Sequence, residues 1–139
     1  MTKAPKRSIK LEFKGIKPMS FQKKKLTINK STGMPRTYNE KEIQQYRDDI
    51  WKLARKQTGR NWVPLSGALR VTRLWFWFAG KYKVHYTNYP DLDNLEKLLY
   101  DILSINGLIF IDDRLICEKN NIGKYWGIED GIEIHIEEI

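Results

Sequence analysis

The sequence has a single cysteine and no long apolar run. Cys117 has no second cysteine with which to form an internal disulfide, and no CxxC pair is present to bind zinc or carry redox chemistry. No apolar stretch approaches the roughly 20 residues of a membrane span. The basic start of the chain has no apolar signal-peptide core. We therefore expect a protein of a reducing compartment, with the cytoplasm as its location.

Motifs of several other enzyme classes are also missing. Two histidines, His85 and His135, are too few for a zinc hydrolase, and there is no glycine-rich phosphate loop to indicate an NTPase. An EF-hand loop begun at Asp91 needs glycine at its sixth position and glutamate at its twelfth, where Glu96 and Ile102 stand. A phosphotransferase nucleophile would follow an apolar strand, but HYTNYP precedes this aspartate.

Positive charge is abundant and unevenly distributed. The chain of 139 residues has a formal net charge of +8, and residues 1–30 hold ten Lys or Arg against the single acid Glu12. Such a basic segment is often only a solvated surface or arm, and it becomes a candidate phosphate-binding face when an acidic constellation accompanies it. The length and composition otherwise indicate one globular domain with one core.

Negative charge is concentrated in one segment, PDLDNLEKLLYDILSINGLIFIDD, which runs from Pro90 to Asp113. Lys97 is its only base, and like charges packed so closely repel each other. Clustered carboxylates are tolerated when a divalent cation neutralises them, and Mg²⁺ prefers hard oxygen ligands. A basic protein with such a site indicates an enzyme that cuts or copies nucleic acid. The segment's six acids are Asp91, Asp93, Glu96, Asp101, Asp112 and Asp113.

The acidic segment also has a structural interpretation. Asp93 is a good N-cap, and Glu96 would complete a capping box. Lys97 lies four residues from Asp93 and from Asp101, so both pairs could be helix ion pairs worth about 0.3–0.5 kcal/mol each. The pair at 112–113 could belong to a turn. On this interpretation the segment would need no metal.

Three features favour a metal site instead. Asp91 has no capping role if Asp93 is the cap, and two carboxylates one residue apart at a strand-to-helix junction can converge. An apolar strand over Leu108–Ile111 can bring the second acidic pair beside the first. A polar stripe lies opposite the leucine face of the helix, so its lysine can point towards the site. The stripe consists of Asn94, Lys97 and Asp101.

Apolar periodicity predicts an α+β (α/β-like) single domain in which a mixed sheet packs with two main helices, in the order β-α-β-α-β-β-β. We expect bends near Gly123 and Gly127. The predicted strands are Ser8–Gly15, Gly67–Phe78, Leu108–Ile111, Arg114–Lys119 and Ile132–Glu137. The predicted helices run from Asn39, capped with Glu42, to near Gly59, and from Asp93 to before Asn106.

Two basic segments are candidates for holding nucleic acid. A long polar stretch from Lys17 to Arg36 is typical of a mobile functional loop. The turn AGKYKVHYTNYP mixes bases with aromatic residues. The alternating Trp75 and Trp77 could stack on bases, but we expect them to pack in the core. The candidate DNA-binding residues are Lys23, Lys24, Lys25, Arg36, Lys81 and Lys83.

The segment PDLDNLEKLLYDIL, followed by NG and IDD, resembles the RusA family of endodeoxyribonucleases, the Holliday-junction resolvases common in phages and prophages. That family carries a (P/R)D-x-DNL-x-K-x₃-D stretch and then a DD pair. The resemblance is detailed over residues 90–113 and general elsewhere, and it implies one RusA-like nuclease domain over residues 1–139. It also implies a homodimer that binds four-way DNA junctions and makes paired Mg²⁺-dependent nicks.

The family's functional residues can be carried over to matching positions only. Its catalytic and metal-binding aspartates match Asp91, Asp93 and Asp113, with Asp112 as a further possible ligand. Its essential lysine matches Lys97, and the supporting positions match Asn94 and Asp101.

Two alternatives remain open. One is a non-enzymatic nucleic-acid-binding phage protein with a merely structural acidic cluster. The other is a nuclease that acts on flaps or RNA.

Overall fold

A computed structural model describes residues 5–20, 40–82 and 84–139. Within these ranges, five strands and two helices follow in the order β-α-β-α-β-β-β, and two short 3₁₀ turns, Ile105–Gly107 and Asp113–Leu115, precede the third strand. The predicted α+β class with a mixed sheet and two main helices is therefore confirmed. The elements are β1 (Ser8–Lys14), α1 (Glu40–Thr58), β2 (Leu69–Ala79), α2 (Leu92–Leu103), β3 (Ile116–Lys119), β4 (Ile122–Gly127) and β5 (Gly131–Glu138).

The sheet is built around β2, which has neighbours on both sides. Its order is β1-β5-β2-β3, and β4 also pairs with β2, further along the same strand. β1 and β2 both run antiparallel to β5, whereas β3 and β4 run parallel to β2. A parallel neighbour needs a crossover connection, and α2 lies in the one that joins β2 to β3.

A bulge in β2 affects its pairing with the strands on both sides. Val71 and Leu74 are both fully buried although they lie three residues apart, because the register with β5 shifts between Val71 and Arg73. At the same level the Asn120 amide donates to the Val71 carbonyl (2.8 Å), and the Leu74 amide donates to the Asn121 carbonyl (3.2 Å). The break between β3 and β4 therefore lies beside the bulge.

One hydrophobic core joins the two helices to a single face of the sheet. The buried residues of α1, Ile43, Tyr46, Ile50 and Ala54, recur at helical spacing. They pack in one cluster with the buried leucines and isoleucines of α2 and with β-strand side chains such as Phe13. The core fixes α2 against the sheet, and α2 carries most of the acidic segment.

The other face of the sheet corrects the prediction that two tryptophans pack in the core. Trp75 and Trp77 are not core residues: Phe76 and Phe78 take the buried positions, so the two tryptophans project from the opposite face and are only half-buried. There they form an aromatic cluster with Tyr125, with ring centroids 5.2–5.9 Å apart. Core burial on one face and aromatic packing on the other explain why both faces of β2 are apolar in sequence.

One further prediction about strands is wrong. The segment 108–111 is not a strand, since its ladder contact is one isolated bridge between Leu65 and Phe110. Gly123 and Gly127 lie within β4 and near bends, as predicted, since the strand is flanked by bends at residues 121 and 128–129. Both glycines make room for aromatic rings, because a Cβ at Gly127 would lie 2.9 Å from the Trp77 ring and one at Gly123 would overlap Tyr125.

Some predictions fall outside the residues that the structure describes. These concern the Lys17–Arg36 loop beyond residue 20 and the cap at Asn39. The bounds of β1, α1, β2 and β5 agree with the predicted ones to within about two residues, as expected for strongly periodic segments.

Candidate active site

The first acidic pair lies at the N-terminus of α2. Asp91, not Asp93, is the N-cap residue, because the helix begins at Leu92 and the Leu95 amide donates to the Asp91 carbonyl (3.1 Å). The predicted cap at Asp93 is therefore wrong, and Asp93 lies in the first turn. The side chain of Asp91 makes no capping hydrogen bond. Both carboxylates are exposed, at the helix end that favours negative charge.

The predicted polar stripe of α2 is present. Asp93, Lys97 and Asp101 follow one another at intervals of four residues and are exposed, and Asn94 beside them is half-buried. Among the described residues no ion pair forms between Lys97 and either aspartate. The structural interpretation of the stripe as two helix ion pairs is thus not what the structure shows.

Glu96 is not a capping residue, contrary to prediction. It is only 6% exposed, and its Oε1 accepts hydrogen bonds from the Tyr100 hydroxyl (2.9 Å) and the Lys119 ammonium (3.0 Å). Burial raises the pKa of Tyr100, and the charge of Glu96, its hydrogen bond and the more distant charge of Asp113 act in the same direction. This buried cluster ties α2 to β3, just beyond the second acidic pair.

Asp112 opens the second acidic pair and caps the 3₁₀ turn that follows it. Its Oδ1 accepts from the Arg114 amide (3.0 Å), and its Oδ2 lies 3.8 Å from the Arg114 guanidinium. The Arg114 amide is the main reason that the pKa of Asp112 is lowered. The turn predicted for this pair as a structural role is therefore present, but only Asp112 serves it.

Asp113 behaves differently from its neighbour. It is half-buried, and burial is the main cause of its raised pKa; the hydrogen bond with Asp112 and the charges of Asp101 and Asp112 add to that, and Lys97 opposes them. The fold thus brings Asp113 into the electrostatic neighbourhood of the α2 stripe. The prediction that the second pair lies beside Asp91 and Asp93 is not confirmed: the charges that act on Asp113 are those of Asp101, Asp112 and Lys97, and no three acids in the described ranges are grouped to hold an ion.

The segment that leads into Asp91 is held by Lys124, which the sequence did not single out, and by Tyr86, which belongs to the turn predicted to mix bases with aromatic residues. The Lys124 ammonium donates to the carbonyls of Asn88 and Pro90, both at 2.7 Å, and the Tyr86 hydroxyl donates to the Tyr89 carbonyl (3.1 Å). Desolvation lowers the pKa of Lys124, and the nearby charge of Asp91 opposes that shift. A sequence signal existed, since Lys124 is the one charged residue in the aromatic segment IGKYWG.

Of the candidate DNA-binding residues, the structure describes only Lys81. It is exposed directly after β2, beside the exposed Tyr82. Lys23, Lys24, Lys25, Arg36 and Lys83 lie outside the described residues.

The model of the endodeoxyribonuclease RusA family matches residues 15–137 of the 139-residue chain. The chain belongs to the RusA endodeoxyribonuclease family. The match includes both acidic pairs, Lys97 and Lys124, and it makes the chain a nuclease whose substrate is DNA. A search of curated proteins found no match. In the described ranges, no helix is both long enough and apolar enough to cross a bilayer.

The metal that the RusA family implies can be compared with the donors present. Asp91, Asp93, Asp112 and Asp113 offer carboxylate oxygens, the ligand type that Mg²⁺ prefers. The exposed carboxylates of Asp91 and Asp93 form no hydrogen bond with the described part of the chain. A bound cation would therefore not have to break one. In residues 5–20, 40–82 and 84–139 no three His, Cys, Asp or Glu side chains are grouped to hold an ion. The donor chemistry fits Mg²⁺, and the arrangement as it stands is not closed around an ion.

Proposed function

We propose that this RusA-family nuclease is a Mg²⁺-dependent, structure-specific endonuclease that resolves four-way DNA junctions by paired cleavage. One observation carries the proposal. Asp113 is far from Lys97 and Asp101 along the chain, yet the charges of both act on its carboxyl group, whose pKa is raised. Perturbed carboxyl groups next to a lysine are typical of sites that handle charge, and the family match makes that charge a DNA phosphodiester.

The carboxylates have the role of holding the cation. Asp91, Asp93 and Asp113 would bind it, and Asp112 would assist because its Oδ2 keeps only a long contact with Arg114. When bound, Mg²⁺ would supply an activated water molecule and positive charge at the leaving oxygen. Burial is the main cause of the raised pKa of Asp113, and a cation held between both pairs would relieve the repulsion from Asp101 and Asp112 that adds to it.

Lys97 has the role of placing positive charge at the scissile phosphate. Its ammonium is exposed and forms no ion pair with the described acids, so it does not have to leave a partner to meet a phosphate oxygen. A preorganised charge of this kind stabilises the negative charge that builds up in the transition state. Asn94 and Asp101 flank it on the same helix face and would keep that face polar.

Paired cleavage favours a two-fold dimer. A four-way junction presents two strands related by two-fold symmetry, and one chain contributes one set of catalytic residues. A homodimer with a closed two-fold axis places two such sets at symmetry-related phosphates. Lys81 and the candidate lysines of residues 23–25 would add sequence-independent contacts to the backbone of the DNA arms.

A substrate panel tests the function. We expect the protein to cleave a four-way junction with Mg²⁺ and not with EDTA, and to cleave a flap, a linear duplex and an RNA hairpin far more slowly. Asp93→Asn should keep junction binding and lose cleavage by about 10³-fold or more, since a metal ligand is removed. Asp48→Asn is the matched control on α1, where the exposed side chain accepts a hydrogen bond from Gln44.

Each other outcome of the panel has a distinct meaning. Cleavage by a clean Asp93→Asn preparation would contradict the metal site. Faster cleavage of the flap or the RNA hairpin would contradict junction specificity. Binding without cleavage in any metal would favour a non-enzymatic role.

A further inference from the structure

Three successive carbonyl groups precede the Asp91 peptide, and each accepts a side-chain hydrogen bond. Lys124 donates to the first and third, those of Asn88 and Pro90, at 2.7 Å each. Tyr86 donates to the middle one, that of Tyr89, at 3.1 Å. The next carbonyl, that of Asp91, accepts the Leu95 amide at 3.1 Å in the first turn of α2. The backbone that delivers Asp91 is therefore held at every carbonyl.

The two donors are themselves fixed to the sheet. The Tyr86 ring stacks on Phe78, with centroids 3.7 Å apart, and meets the Trp126 ring edge-on at 4.7 Å. Its amide donates to the Lys124 carbonyl (3.2 Å). The Lys124 ammonium lies 5.5 Å from the centre of the same ring. Because these contacts anchor both donors to β2 and β4, the carbonyls are held against the core rather than by another loop.

We propose that Lys124 is a positioning residue of the nuclease site, whose ammonium group, together with the Tyr86 hydroxyl, fixes the backbone before Asp91 and so sets the direction of that carboxylate. The inference rests on the proposed function, because it assumes that Asp91 acts in cleavage. Lys124 itself need not touch DNA or metal. It acts through Asp91, in a place where a displacement of about 1 Å can slow a reaction by about 100-fold.

Loss of the Lys124 charge and displacement of the Asp91 carboxylate should have opposite effects on cleavage, which makes the inference testable. Removing the Lys124 ammonium takes a positive charge away from Asp91, and by itself that would favour cation binding. Slower cleavage at saturating Mg²⁺ would therefore report the displaced carboxylate rather than the lost charge. Tyr86→Phe removes the hydroxyl, with its hydrogen bonds to the Tyr89 carbonyl and the Asn88 side chain, without any change of charge, and it keeps the stacked ring.

The experiment compares Lys124→Met, Tyr86→Phe and the control Lys52→Met, which replaces an exposed lysine on α1. We expect Lys124→Met to lower the single-turnover cleavage rate of a four-way junction by about 10-fold to 100-fold at saturating Mg²⁺. Its Kd for the junction should stay within about 3-fold of the parent value, because the proposal gives Lys124 no contact with the DNA phosphates. Tyr86→Phe should show a smaller loss, and Lys52→Met none.

A second readout does not depend on activity. Hydrogen exchange of the Leu95 amide reports opening of the first turn of α2, and we expect it to be about 10-fold faster in Lys124→Met and unchanged in Lys52→Met. A parent-like rate and parent-like exchange in Lys124→Met would overturn the proposal. So would a weaker Kd with an unchanged rate, which would make Lys124 a DNA contact.

Two further outcomes are kept separate. If Lys124→Met fails to fold, Tyr86→Phe carries the test, and parent-like exchange of its Leu95 amide would overturn the proposal. If the parent protein cleaves no DNA, the proposed function fails. The exchange measurement still decides whether Lys124 and Tyr86 hold the backbone before Asp91.

Discussion

The two acidic pairs are held in place by different means. In the first pair, the Asp91 carboxylate makes no capping bond, and order comes from the backbone, whose carbonyls are engaged by Lys124 and Tyr86. In the second pair, the Asp112 side chain is itself bound to the Arg114 amide. The first arrangement leaves carboxylate oxygens free for a ligand at the end of a helix, and the second uses one carboxylate to orient the other.

The buried cluster of Glu96, Tyr100 and Lys119 is where a change should have the largest effect on stability. Glu96→Ala removes the acceptor of two hydrogen bonds at a position that is 6% exposed. We expect a loss of about 2 kcal/mol in the free energy of unfolding, less than for a fully buried pair because Lys119 is half exposed. Urea denaturation measures it.

Glu118→Ala is the matched control for Glu96. It removes an exposed carboxylate paired with Arg70 on the same edge of the sheet, where an ion pair is worth at most about 1 kcal/mol. An equal or smaller loss for Glu96→Ala than for Glu118→Ala would show that the cluster does not hold α2 to β3. The contact between α2, which carries the first pair, and β3, which follows the second pair, would then not stabilise the fold.

Within the second pair, the two aspartates should respond to substitution in opposite directions. Asp113 has a raised pKa in the folded protein, so protonation favours folding and its charge destabilises the fold as pH rises through that pKa. Asp113→Asn should therefore raise Tm by about 2 °C at pH 7 without metal. The gain should disappear below about pH 3.9, the ordinary Asp value, where both proteins are neutral at this position.

The charge of Asp112 has the opposite effect on stability. Its pKa is lowered, so its charged form stabilises the fold above its ordinary pKa, and that contribution is lost as pH falls through the folded value. Asp112→Ala should lower Tm at pH 7, and the difference in Tm between this variant and the parent should become smaller in acid. Thermal unfolding at several pH values checks both variants. A Tm change of the same sign for both at pH 7 would contradict the assignment of different roles.

Much of the fold could be predicted because it depends on local periodicity. The alternation of Ile132, Ile134 and Ile136 with polar residues predicts β5, and the leucine spacing predicts the buried face of α2. The predicted polar stripe around Lys97 follows from the same helix. Such patterns are short-range, and the structure preserves them.

Other features could not be predicted because they depend on contacts between distant segments. The bulge beside Val71 requires the pairing with β5 and with the Asn120–Asn121 break. Glu96 reads as a cap in sequence, and only the approach of Lys119 on β3 makes it a buried acceptor. The role of Lys124 likewise depends on a segment that lies more than thirty residues earlier in the chain.

If both acidic pairs hold the same cation, a substitution in either pair should weaken cation binding, and Mn²⁺ can be titrated as a spectroscopic substitute for Mg²⁺. Electron paramagnetic resonance would measure free Mn²⁺ with the parent protein, Asp93→Asn and Asp113→Asn. We predict that each variant binds Mn²⁺ at least about 10-fold more weakly than the parent, since each loses a ligand. Parent-like Mn²⁺ binding by either variant would contradict the claim that the two pairs form one site.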